Sequence, residues 1–226
     1  MKSTFLAIRC QYNAKNRVDV THAFRPECNS WADNRGNTFV EVIDNHKSFW
    51  NRNINVKRFL DNLILNDEKL EELAIFCHGW KTGIQIGFNN SNVQDLAERL
   101  AKLAANDHFI VSLYCCSVGK GAVAQGDNSF ADLLRDHLCK NGIIHCRVMG
   151  HTKAGHTTQN PNVRFFDGHG STLGGIGAPI LFPPKTPIWR AFKRALDDQT
   201  DFRFVFPLWS TTKIVNYLEE NYLDQR

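Results

Sequence analysis

Two apolar runs constrain what this chain can fold into more than any other feature. One is Leu73-Ala-Ile-Phe-Cys-His78-Gly79, and the other is Phe109-Ile-Val-Ser-Leu-Tyr-Cys-Cys116-Ser-Val-Gly119. Each is mostly apolar, too short for an independent helix, and cut off by a reactive side chain and a glycine. Such runs read as strands buried on both faces. Between them, apolar residues at 93, 96, 97, 100, 103 and 104 fall at helical spacing. A strand, a helix and a second strand in that order make a parallel pair, and parallel strands end along one edge of a sheet. The histidine and the cysteine are therefore expected on the same edge.

The alternation continues in both directions. Besides 73–77 and 109–114, strands are expected at 4–10, 38–43, 143–149 and 202–206. Helices are expected at 56–65, 93–104, 130–138, 188–196 and 214–222. Asn128 or Ser129 is placed to cap the third of these, and Pro187 precedes the fourth. The pattern predicts an α/β fold, a mostly parallel six-stranded sheet with helices on both faces. The 226 residues read as a single domain over 1–226 without internal repeats. Two stretches resist the scheme. Residues 13–37 are polar, contain Pro26, and read as a long loop. Residues 150–187 are rich in Gly, His and Pro and read as an irregular loop that lines a cleft, serves as an activation or cleavage loop, or makes a surface excursion with its own small hairpin.

Charge and cysteine content narrow the class. Hydrophobic residues make up 42% and charged residues 22%, which excludes a largely disordered chain. The net charge of +4 is unevenly placed, with ten Lys or Arg against five Asp or Glu in residues 1–60 and near-neutrality beyond. These basic residues are scattered and no nucleic-acid-reading motif accompanies them, so a solvated surface is expected in place of a nucleic-acid partner. Seven cysteines, at 10, 28, 77, 115, 116, 139 and 146, show no disulfide-framework or zinc-ribbon spacing. Free thiols in a reducing, cytoplasmic setting are the expectation. The apolar run at 4–8 is too short for a signal peptide and no stretch approaches a bilayer span, so no membrane partner is expected.

Bringing His78 and Cys116 to one edge has a chemical meaning. A thiolate attacks carbonyl carbon, and a neighbouring imidazole manages the protons of the exchange. Alternation along the strand separates the two adjacent thiols. Cys115 continues the wholly apolar series Phe109, Val111 and Leu113, which belongs against a helix. Cys116 continues the mixed series Ile110, Ser112 and Tyr114 and is expected to turn towards the crevice.

The block from about 70 to 150 resembles the caspase-like cysteine peptidases: caspases, gingipains, clostripain, the CHAT peptidases and the self-processing protease domains of large bacterial toxins. The family pattern is a strand ending in His-Gly, a β-hairpin, a helix, then a strand ending in Cys with a glycine nearby. Here these correspond to His78-Gly79, the alternating Gly83-Ile-Gln-Ile-Gly-Phe88, the helix at 93–104, and Leu113-Tyr-Cys-Cys116-Ser-Val-Gly119. The last fits the Leu-x-x-Cys-x-x-Gly form of the bacterial members, and Ser129-Phe-Ala-Asp-Leu-Leu134 resembles their next helix. The resemblance implies a regulated cysteine endopeptidase that cleaves protein or peptide substrates through a Cys116–His78 dyad and a thioester. It implies backbone amides of Gly79 and Cys116 as oxyanion donors, with no cofactor. The Gln-Ala-Cys-x-Gly signature of animal caspases is absent, so cleavage after Asp is not implied.

Two other readings use the same stretches. Phe76-Cys-His-Gly-Trp80 and Cys115-Cys-Ser117-Val-Gly119 resemble the oxyanion loop and nucleophile elbow of a serine α/β-hydrolase acting through Ser117, with the elbow's first glycine missing. The third reading is a non-catalytic caspase-like module that senses a ligand or partner through the basic N-terminal part. His151, His156 and His169 lack tight ligand spacing and carboxylate neighbours, so no metal site is expected. Gly119-Lys-Gly121 is not a phosphate loop.

Overall fold

The two dominant runs become adjacent parallel strands in the middle of a six-stranded sheet. The computed structural model describes residues 4–11, 24–35, 38–44, 47–120, 128–154, 162–167, 186–198 and 211–223. Its strands are β1 (Thr4–Cys10), β2 (Thr38–Ile43), β3 (Leu70–Phe76), β4 (Gly79–Trp80), β5 (Gly83–Ile84), β6 (Phe88–Asn89), β7 (Ile110–Tyr114), β8 (Arg147–His151) and β9 (Val163–Asp167). The helices are α1 (Arg25–Asp33), α2 (Phe49–Leu65), α3 (Val93–Leu103), α4 (Phe130–Lys140), α5 (Pro187–Asp198) and α6 (Thr211–Leu218), the last followed by a π-helical turn over Glu219–Leu223. The main sheet runs β2-β1-β3-β7-β8-β9, every pair parallel except the antiparallel β8–β9. Strands β4, β5 and β6 form a small antiparallel sheet directly after β3.

Two cores sandwich the main sheet. On one face Leu6, Ile8, Leu73, Ile75, Val111 and Leu113 pack against apolar residues of α2, α3 and α4. On the other, Ala7, Ala74, Phe76, Tyr114 and Met149 pack against α1, α5 and α6. The period of two in the strands thus feeds two helical layers, each fully buried Leu or Ile contributing about 1.5–3 kcal/mol. Helix α1 is latched across the sheet by a buried ion pair. Arg35 donates to both Glu72 oxygens at 2.8 and 3.2 Å, Ser112 donates to the same carboxylate at 3.2 Å, and the guanidinium stacks 4.0 Å from the Trp31 ring centroid. Burial pushes the Glu72 carboxyl up and Arg35 pulls it back.

The structure corrects several expectations. The segment read as a loop over 13–37 contains α1: Phe24, Cys28, Trp31 and Ala32 fall at i, i+4, i+7 and i+8 and are all buried. Pro26 occupies the first turn, where its missing N–H costs nothing. The strand expected at 143–149 begins only at Arg147 and runs to His151. Ile143 instead closes α4, its N–H reaching the Leu138 carbonyl while Gly142, at φ +90°, bonds Cys139. That is a Schellman stop, in which an apolar residue folds back onto the helix without entering a strand. The region 150–187 is not wholly irregular, because it contains the end of β8 and all of β9. Strand β9 is also the sixth strand of the sheet, in the place expected for residues 202–206, which lie outside the described residues. Helix α2 starts seven residues earlier than expected, at Phe49, because Ser48 caps it by accepting from the Asn51 N–H. Of the two candidates for capping α4, Ser129 does so, accepting from Asp132.

Candidate functional site

Strands β3 and β7 are in register from Glu72↔Ile110 to Phe76↔Tyr114. Both strands end there, and His78 and Cys116 each lie two residues past the end of these neighbouring strands. The tips touch through Gly79. A Cβ there would lie 2.8 Å from Cys115 Cβ and Val118 Cγ1 and 2.9 Å from the Cys116 carbonyl oxygen. Only a residue without a side chain lets the His-Gly tip close onto the cysteine turn.

The two adjacent thiols differ in burial. Cys115 is buried, its Sγ 3.5 Å from both the Cys77 Sγ and the Ile75 carbonyl oxygen. Burial and the neighbouring Cys77 push its thiol up. Cys10, one strand over and hydrogen-bonded to Cys77, is pushed up by that bond and by burial. Cys116 is half-buried and leads into a turn in which Ser117 adopts φ +62° and the Lys120 N–H donates to the Ser117 carbonyl at 3.0 Å. The turn is tied to β8 by the Gly119 N–H, 2.8 Å from the His151 carbonyl oxygen. All seven cysteines are free thiols.

His78 is held by two residues that the sequence did not single out. Its N–H donates to the Gln85 side-chain oxygen at 3.2 Å, and its carbonyl accepts from the Gln85 N–H at 2.8 Å. Gln85 is 6% exposed, a polar residue in an otherwise apolar hairpin, and that mismatch was the available signal. The imidazole meets the Phe24 ring edge to face at 4.9 Å, on the α1 face of the sheet. Its Nε2 is buried and has no hydrogen-bond partner among the described residues. Behind it, Tyr114 stacks on Phe76 at 4.6 Å and meets His151 edge-on at 6.2 Å. Burial pushes Tyr114 up and His151 down to about 3, so His151 is neutral at ordinary pH.

His78, Gly79, Cys116 and Ser117 are therefore brought together, whereas His151 is packed into the sheet. His156 and His169 lie outside the described residues. Among the described residues no group of three or more His, Cys, Asp or Glu could hold a metal ion, and no helix is long and apolar enough to cross a membrane. The arrangement offers a half-buried cysteine, an imidazole with an uncommitted nitrogen and a backbone pinched close by glycine, a set suited to acyl transfer. Comparison with protein-family models, with curated proteins and with solved structures finds no match.

Proposed function

We propose that the chain is a cysteine endopeptidase with Cys116 as nucleophile and His78 as acid and base. The observation that carries this reading is the register Phe76↔Tyr114, which aligns the His78 and Cys116 tips while Cys115 turns away into the core. Support also comes from the element order: β3 with His-Gly, the small antiparallel sheet, α3, then β7 with its cysteine, which follows the caspase-like pattern.

The chemistry proceeds in two halves. The Cys116 thiolate forms a C–S bond to the scissile carbonyl carbon, and the oxyanion is met by the backbone N–H groups of Gly79 and Cys116. Protonated His78 gives its proton to the leaving nitrogen as the C–N bond breaks. Neutral His78 then takes a proton from water, whose oxygen attacks the thioester, and the thiolate leaves. Phe24 packs against the imidazole and Gln85 holds the His78 backbone through both halves. N-terminal profiling of a digested proteome with wild type, Cys116→Ala and His78→Ala is the test. The expected result is a set of cuts present only with wild type. Absence of any Cys116-dependent cut sinks the reading.

One observation favours a second reading. Ser117 has a positive φ, as the nucleophile of a serine-hydrolase elbow does. Such an elbow runs straight into a helix, but here α4 begins only at Phe130. Labelling of Ser117 by a fluorophosphonate, with Cys116 unlabelled by a peptidyl thiol reagent, would establish the serine reading over the cysteine one.

A further inference from the structure

Past Gly79, the small antiparallel sheet meets the start of α2. Phe49, Trp80, Thr82, Asn89, Asn90 and Ser91 line an open groove there of about 390 Å³. Its aromatic part is formed by Phe49 and Trp80, with ring centroids 6.5 Å apart and planes tilted by 43°. Trp80 is 42% exposed and the neighbouring Trp50 66%, high values for the largest apolar side chain. The other lining side chains are neutral amides and hydroxyls. Asn89 is committed internally, accepting from the Ser91 N–H at 2.9 Å and the Ser91 hydroxyl at 2.6 Å. Asn90 donates to the Asn128 carbonyl at 3.0 Å, but its own Oδ1 is buried with no partner among the described residues. A buried acceptor in that condition is costly until a donor reaches it.

We infer that this groove is the subsite for the leaving side of a peptide substrate, taking an apolar or aromatic side chain within about three residues after the scissile bond. The inference rests on the peptidase reading of His78 and Cys116. In that chemistry the imidazole must reach the departing nitrogen, so the departing segment runs out past His78. Trp80 lies two residues beyond that histidine. An extended peptide advances about 3.3 Å per residue, which brings its first few side chains within reach of the tryptophan ring. A basic side chain finds no counter-ion among the lining residues and is repelled by the Arg52 guanidinium, 5.7 Å from the Phe49 ring centroid.

The test is N-terminal profiling of a proteome-derived peptide library, because each new N-terminus reads the residues after the cut directly. Wild type, Trp80→Ala, Trp80→Phe, Thr82→Glu and Cys116→Ala are compared. Wild type should enrich apolar or aromatic residues in those positions. Trp80→Ala should lower the kcat/KM ratio of a peptide with Phe there over one with Gly there by about tenfold or more, and Trp80→Phe should keep most of it. Thr82→Glu, at an exposed rim position, should draw Lys or Arg into the same positions, a gain that misfolding does not produce. Cys116-dependent cuts with an unchanged profile in both Trp80→Ala and Thr82→Glu overturn the subsite and leave the peptidase reading standing. No Cys116-dependent cuts at all overturn both.

Discussion

The ends of β3 and β7 treat neighbouring side chains in opposite ways on the two faces of the sheet. Towards α2, α3 and α4, Cys77 and Cys115 meet in a sealed row beside Cys10, and burial holds Cys115 as a neutral thiol. One residue further along each strand, His78 packs against Phe24 and Cys116 is half-buried at the carboxyl edge. The residue type is the same, yet the two cysteines are a small hydrophobe and a candidate nucleophile. Burial, and not identity, separates them, because a thiol sealed in the core behaves as a small hydrophobe.

The widest way to break that contrast is to delete each thiol in turn. Cys116→Ala should abolish peptide cleavage with the melting transition preserved. Cys115→Ala should keep cleavage and cost about 1 kcal/mol in a urea titration, as a small core truncation does. If Cys115→Ala is the dead variant, the two faces have been assigned the wrong way round.

The contact between the tips is tested next. In Gly79→Ala the new methyl group meets Cys115, Val118 and the Cys116 carbonyl. Overpacking of this kind costs about 1–3 kcal/mol, and a shift of the nucleophile turn by about 1 Å can lower kcat/KM about a hundredfold. Thermal melts and steady-state kinetics read the two effects separately. A Gly79→Ala protein as stable and as active as wild type would mean the tips do not depend on their close approach.

His151 sharpens the comparison from behind, since its carbonyl anchors the cysteine turn while its imidazole is buried. Burial lowers its pKa to about 3 in the folded chain, against about 6.5 when unfolded. The unfolded chain therefore binds the extra proton between those values. Its contribution to stability is complete above about pH 6.5 and is lost as pH falls towards 3, by up to about 1.4 kcal/mol per pH unit. Denaturant titrations from pH 7 to 4.5 should show a shallower decline for His151→Gln than for wild type.

The smallest effect concerns a third thiol pair, remote from the site. Cys139 Sγ lies 3.8 Å from Cys146 Sγ. That hydrogen bond, with help from Arg135 and against burial, brings Cys139 down to about 7. Iodoacetamide modification of Cys139, followed by peptide mass spectrometry, should rise with a midpoint near pH 7 and shift upward in Cys146→Ala. Cys77 and Cys115 should stay unmodified until the chain unfolds.

Much of the fold was legible because strands buried on both faces leave continuous apolar runs. Four of the six main strands were found in that way, with β8 displaced by the Schellman stop at Ile143, while the edge strand β2, only partly buried, was found from its alternation of Val40, Glu41 and Val42. Strand β9 was missed because its five residues lie within a Gly-, His- and Pro-rich stretch, and its partner, β8, was itself misplaced. Helix α1 was missed because Pro26 and the surrounding Asn and Asp residues outweighed the spacing of Phe24, Cys28, Trp31 and Ala32. At the site, His78, Gly79 and Cys116 were legible as strand-end residues, whereas Phe24 and Gln85 were not.

By itself the sequence determined that two buried strands would end in a histidine and a cysteine on one edge, because a helix between two short apolar runs leaves the parallel arrangement as the outlet. It also determined which of two adjacent thiols enters the core, since a period of two is a property of the strand alone. Only the tertiary structure decided what holds the histidine. Phe24 arrives on a helix latched through Arg35 to Glu72, and Gln85 folds back from the small sheet beyond Gly79. Such contacts join segments through the packing of separate layers, and no local periodicity encodes where two layers will meet.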